Sequence, residues 1–315
     1  RNVDVELVVD PASSATDGED FIITPSKLVI NSGELSADAV LTAVRDSIDE
    51  SDETVSVFVK GDVNKVANLT ITENICNFID KSISGTITEN LTLFRECSPY
   101  IVSGNVVVGE GVTLFIESGV ELKFNPNTYL RVNGQLVAEG TPTDSIHFTG
   151  NNWKYIDIVS KRSDSRISFA NISDSGEGGM DWDYKVKLRN SILSNSVIEN
   201  VMNGVELRDS SVVEYSVIRE LYGHAINSSQ SGVYGNVIER AWKVPGWQGV
   251  KPTVFLHNQS VFRNNIVRNI EGATAIEAHG ETIIEQNILG DYSGRHGTIG
   301  LLVNLGNNHT IRNNK

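Results

Sequence analysis

The sequence predicts an all-β chain in two parts, the second and larger of which is a parallel β-helical solenoid. Three observations carry this. One short apolar phrase recurs from Leu193 to the last residue, its residues favour strands over helices, and most of the net charge sits in the first quarter of the chain.

The phrase is an apolar residue, two free positions, Asn or Ser, then two apolar residues. Its copies are Leu193/Ser196/Val197/Ile198, Val213/Ser216/Val217/Ile218, Val233/Asn236/Val237/Ile238, Phe262/Asn265/Ile266/Val267 and Ile284/Asn287/Ile288/Leu289, with Ile311/Asn314 opening a sixth. Steps between the fourth-place residues are 20, 20, 29, 22 and 27. A period of this size marks a solenoid, and Val, Ile, Asn, Ser and Gly in place of Ala, Leu, Glu and Lys make its elements strands.

Each copy holds a further strand before the next begins: Val205-Glu206-Leu207, Val254-Phe255-Leu256, Ile276-Glu277-Ala278 and Ile299-Gly300-Leu301. Alternation of apolar and polar residues sends one face inward. The Asn/Ser column is expected at a tight bend, taking up left-handed backbone angles and hydrogen-bonding its equivalent one coil away.

The 315 residues suffice for two cores. Residues 1–75 hold 15 acids and 5 bases; the other 240 hold 25 and 21. Such acidity argues against nucleic acid as a partner and in favour of cations, and no apolar run is long enough to insert into a membrane. The chain lacks an initiating Met and stops inside a copy of the phrase, so it reads as part of a longer protein whose rod continues past Lys315. Cys76 and Cys97, the two cysteines, flank the junction between the acidic part and the repeats. They are a candidate disulfide stabilising by ~3 kcal/mol, the alternative being two buried thiols.

In the acidic part, Asp17-Gly18-Glu19-Asp20-Phe21 and Arg45 to Val55 resemble the calcium-binding turns of a Calx-beta domain, and the strands Val3 to Val9, Lys27 to Ile30, Ala39 to Ala43 and Thr54 to Val59 fit it. The resemblance implies a β-sandwich over residues 1–76 and Ca2+ ligands at Asp20, Asp46, Glu50 and Glu53, all hard oxygen donors. Arg45 stands where the family has an Asp, which implies a weak or single site. The family's first strand is missing, which leaves an edge open to strand donation and self-assembly.

Upstream of the phrase, Val120/Leu122/Phe124, Ile146/Phe148 and Ile167/Phe169 read as one alternating column, which extends the solenoid back over 77–315 as nine or ten coils. The segments 98–106, 111–120 and 132–141 look like the opening coils of secreted right-handed parallel β-helix proteins with the pectin-lyase-like fold. That resemblance implies an extracellular or cell-surface location.

Candidate site residues fall where the period breaks or on outward columns. Loops near 173–185, 241–252 and 290–297 carry Trp182, Trp242, Trp247 and Tyr292, candidate plates for stacking a glycan. Eight residues before the Asn anchors stand His257 and His279, with Arg208 in that place on an earlier coil and Glu277 two residues before His279. These four are the candidate acid–base set.

Two readings follow. One is a non-catalytic extracellular structural or adhesion module, calcium-stiffened and glycan-binding, whose partners are a polysaccharide or a neighbouring surface protein. The other is a polysaccharide lyase, epimerase or hydrolase acting on an acidic glycan. Paired Asp residues on successive coils, the pattern such enzymes need, are absent from the sequence.

Overall fold

The computed structural model describes the chain except residues 45–51, 72–80, 160–163, 175–182, 243–251, 272–273, 294–299 and 304–308. The chain divides into two compact units, Arg1–Ile79 and Asp80–Lys315.

The first unit is antiparallel. Lys27–Ile30, Val3–Val9, Glu53–Val59 and Asp62–Ile71 hydrogen-bond in that order as a four-stranded sheet, and Phe21–Thr24 pairs with Val40–Ala43 in a separate ribbon. Alternation in Glu53–Val59 buries Val55 and Val57, which meet Phe21 and Ala15 in one apolar cluster flanked by Leu7, Val9, Ile23, Leu41 and Ile71. Sheet and ribbon thus share a core, as two-layered β structure must.

The second unit is a parallel β-solenoid with three strand faces. The first face stacks ten strands from Leu91–Leu93 to Thr310–Arg312. The second runs from Tyr100–Val108 through Glu121–Phe124 to Ile288–Ser293, and the third from Leu130–Val132 to Leu301–Val303. First-face partners Ile192, Val212, Gly232, Val261, Ile283 and Thr310 reproduce the uneven steps of the sequence phrase.

Inward positions are apolar and closed to solvent. On the first face these are Leu193, Val213, Val233, Phe262 and Ile284; on the second, Ile198, Ile218, Ile238 and Val267; on the third, Val205, Leu207, Val254, Leu256, Ile276 and Ala278.

The Asn column sits at the corner between the first and second faces. Asn236, Asn265 and Asn287 are fully buried. Each receives on its Oδ1 the backbone N–H of the residue one coil earlier, at 2.9 Å in every case. One expectation for this corner is corrected: the left-handed angle belongs to the residue before the ladder member, at Asn195, Tyr215, Gly235, Asn264, Gln286 and Asn313. The ladder side chain must point inward to bond its neighbour, so the chain turns just ahead of it.

A second correction concerns the upstream coils. Leu122 and Phe148 are partners on the second face, but the next member is Ile172. Ile167 belongs to the first face, between Ala138 and Leu193, and Phe169 is the positive-φ corner residue. All of these positions are apolar, so period alone does not separate two faces that both point inward.

A second corner ladder carries no strong sequence signal. Ser165, Ser191, Ser211, Ser231, Ser260 and Thr282 line the turn from third face to first, all at 5% exposure or less. Ser191, Ser211, Ser231 and Ser260 each donate a hydroxyl hydrogen bond to a backbone carbonyl two or three residues back, closing the turn without solvent.

Candidate functional site on the third face

The third face turns two adjacent columns outward. The first runs Arg131, Asp157, Lys187, Glu206, Asn227, Phe255, Glu277. The second runs Arg189, Arg208, Ser229, His257, His279, the second and third joined through the pairing of their strands. The candidate set is therefore brought onto one surface, with His257 directly opposite His279.

Parallel, in-register stacking sets equivalent side chains about 4.8 Å apart, so like charges in a column repel and opposite charges attract. The first column alternates in sign over its first four members. Asp157 binds Arg131 at 3.0 Å, Asp183 binds Lys187 at 2.8 Å, Glu206 binds Arg208 at 2.7 Å and Asp209 lies 2.9 Å from Arg189. Glu277 meets His279 Nε2 at 2.6 Å.

Other faces repeat this. Glu199, Arg219, Glu239 and Arg268 alternate along the second face, with Arg219–Glu199 at 2.7 Å and Arg268–Glu239 at 2.8 Å. On the first face Glu285 is held between Arg263 and Arg312, which keep its carboxyl below the usual carboxylate range, the Arg312 hydrogen bond contributing most.

Aromatic rings fill the end of the third face. Phe255 meets His257 edge-on at 3.9 Å and His279 at 5.1 Å, and the two imidazoles stack at 5.9 Å. Burial lowers the His257 pKa, the His279 ring lowers it further, and Glu277 opposes both. Tyr184 and His224 continue the stack toward Phe255 at 6.1 Å each, and burial pushes the Tyr184 phenol pKa up.

Beside these rings lies a groove of about 320 Å³ bordered by Arg189, Glu206, Arg208, Asp209, Asn227, Ser229, His257 and Asn258. Phe255, Asn227, Asn258 and Arg189 were not singled out from sequence. Phe255 stands ten residues before its anchor, as Glu206 and Glu277 do, whereas Asn227 stands nine before Asn236 and falls out of that count.

The other candidates are scattered. Trp242 ends a second-face strand and packs on Tyr222 one coil away at 5.4 Å. Trp182 and Trp247 lie outside the described residues, and of Tyr292 only the backbone, in the strand Ile288–Ser293, is described. The remaining Trp153 is a core residue, stacked on Phe124 at 4.3 Å with the Lys185 ammonium 4.2 Å above its ring.

In the first unit, Asp20 accepts the Thr16 backbone N–H at 2.6 Å, so its carboxylate braces its own turn. Glu53 opens a sheet strand. Asp46 and Glu50 lie outside the described residues, and among the described residues no three His, Cys, Asp or Glu side chains converge to hold a metal. Cys97 is buried and disulfide-bonded; Cys76 lies outside the described residues. No described helix is long and apolar enough to cross a membrane.

Comparison with known proteins finds no matching family model and no matching solved structure. A 62-residue stretch is 42% identical to the protein bark beetle of Drosophila melanogaster. That stretch is 20% of this chain and 2% of the fly protein, so the chain spans a small fraction of the relative it matches.

Proposed function

We propose that the chain is a non-catalytic extracellular or cell-surface module, in which a Calx-beta-like sandwich precedes a right-handed β-helical stalk serving adhesion or assembly. One observation carries this reading. On the third face Asp157, Asp183, Glu206, Asp209 and Glu277 each have a base within 3.0 Å. Cleavage of a glycosidic bond needs an acid and a base free to exchange protons with substrate on opposite sides of one bond. Carboxylates committed to neighbouring bases are not free for that exchange, and the Asp157–Arg131 and Asp209–Arg189 pairs also join neighbouring coils.

The enzyme reading draws on the Glu277–His279 contact, a carboxylate–imidazole pair one coil beyond His257, which lines the groove. Incubation of the chain with polygalacturonate, alginate and hyaluronan decides between the two. The stalk reading expects neither unsaturated products nor new reducing ends, and product that disappears in His279→Ala would overturn it.

Calcium enters through the family resemblance and the acidity of the first 75 residues. A metal that binds only the folded state raises the melting temperature by mass action. The same melting temperature in calcium and in chelator, or a calcium shift that survives Asp46→Ala, would remove the site.

A further inference from the structure

We propose that the third-face groove is a binding site for a neutral saccharide, and that it discriminates against acidic ones. This deepens the adhesion reading above and rests on it. The groove balances its own charge, with Arg189 and Arg208 against Glu206 and Asp209. A uronate would displace an existing ion pair, whereas a neutral sugar leaves both pairs intact.

The remaining rim is built for hydroxyls. Asn227, whose amide also bonds the Tyr184 hydroxyl, and Asn258 supply amides, Ser229 a hydroxyl and His257 an imidazole, so the wall carries both donors and acceptors. A sugar hydroxyl is donor and acceptor at once and uses both.

Size and shape agree. From Arg189 through Arg208 and Ser229 to His257 is three coil steps, about 14 Å at ~4.8 Å each, and 320 Å³ lies at the small end of ligand sites. Phe255 follows Asn227 in the same outward column and meets His257 edge-on, which helps to hold that imidazole at the groove wall.

Low pKa at His257 keeps the imidazole neutral near pH 7, able both to donate and to accept. The chain's acidity adds a second penalty for anionic glycans.

The test is titration of the chain with cellotetraose, mannotetraose, galactotetraose and tetragalacturonate, followed by the imidazole NMR signals of His257 and His279. At least one neutral tetrasaccharide is expected to shift them saturably, with tetragalacturonate at least tenfold weaker. Asn227→Ala should weaken binding about tenfold, and Ser229→Trp, which fills the groove from a half-exposed position, should abolish it with the melting transition retained. Tighter binding of tetragalacturonate, no shift with any neutral sugar, or full affinity in a folded Ser229→Trp chain would overturn the assignment. Cleavage of any of the sugars would overturn the non-catalytic reading beneath it.

Discussion

Asn236 and Asn265, one coil apart, share a single oxygen: Asn265 Oδ1 accepts both the backbone N–H of Asn236 at 2.9 Å and its side-chain Nδ2 at 3.0 Å. Asn265 in turn gives its own N–H and Nδ2 to Asn287 Oδ1, at 2.9 and 3.2 Å, and donates again to the carbonyl of Val233. The corner of each coil is thereby written into the next.

Asn265→Ala should be among the most destabilising single changes in the solenoid. It leaves the N–H of Asn236 buried without an acceptor, at about 1–3 kcal/mol for an orphaned group, and strips the Asn236 amide of one of its two acceptors, the other being the Val213 carbonyl. Ser196→Ala, nearer the start of the ladder, orphans only the Ala170 N–H that its hydroxyl accepts at 3.0 Å, with no side-chain amide bonds to lose, and should cost less. Thermal unfolding of the two variants gives the comparison; equal losses would mean that the ladder is not cooperative.

Glu285 sits between two guanidinium groups at 3% exposure. Its folded pKa lies below its unfolded value of about 4.5, so its contribution is present above that pH and fades as pH falls through the folded value. Glu285→Gln should therefore lower the melting temperature at pH 7, by an amount that shrinks as pH falls below about 4.5 toward the folded value. A gap that keeps the same size across that range would show that the loss is one of shape and not of charge.

His257 has a dependence of the same sign in a higher pH range. Its pKa is depressed in the folded chain, so below about 6.5 the unfolded chain takes up the proton first and gains stability. Stability should decline from pH 7 toward the folded pKa and level off beneath it. His257→Phe should flatten that decline, and an unaltered slope would place the titrating group elsewhere.

Much of the solenoid was legible because stacking makes it periodic. The phrase at Leu193 and the uneven steps to Asn314 map directly onto first-face pairings. Less legible was anything decided by which inward face a residue occupies. Ile167 and Leu122 are equally apolar, yet they belong to different sheets.

The candidate site was half visible for the same reason. His257, His279 and Arg208 shared a count of eight from their anchors, but Ser229 stands seven before Asn236 and falls out of it, and Phe255, at the same count as Glu277, carries no charge to mark it. The buried Ser ladder escaped notice because serine is common in turns whether or not its hydroxyl is enclosed.

The claim underlying the whole account is that outward charges hold coil to coil and are not kept free for chemistry. Melting curves for the second-face ladder test it most directly. Arg219→Glu places three carboxylates, at 199, 219 and 239, in one column and should lower the melting temperature by several degrees, since each opposed like-charge pair costs on the order of 0.5 kcal/mol or more. Reversing the whole ladder (Glu199→Arg, Arg219→Glu, Glu239→Arg, Arg268→Glu) restores the alternation and should recover at least half of the loss. An unchanged melting temperature in Arg219→Glu, or a reversed ladder no more stable than the single variant, would contradict it.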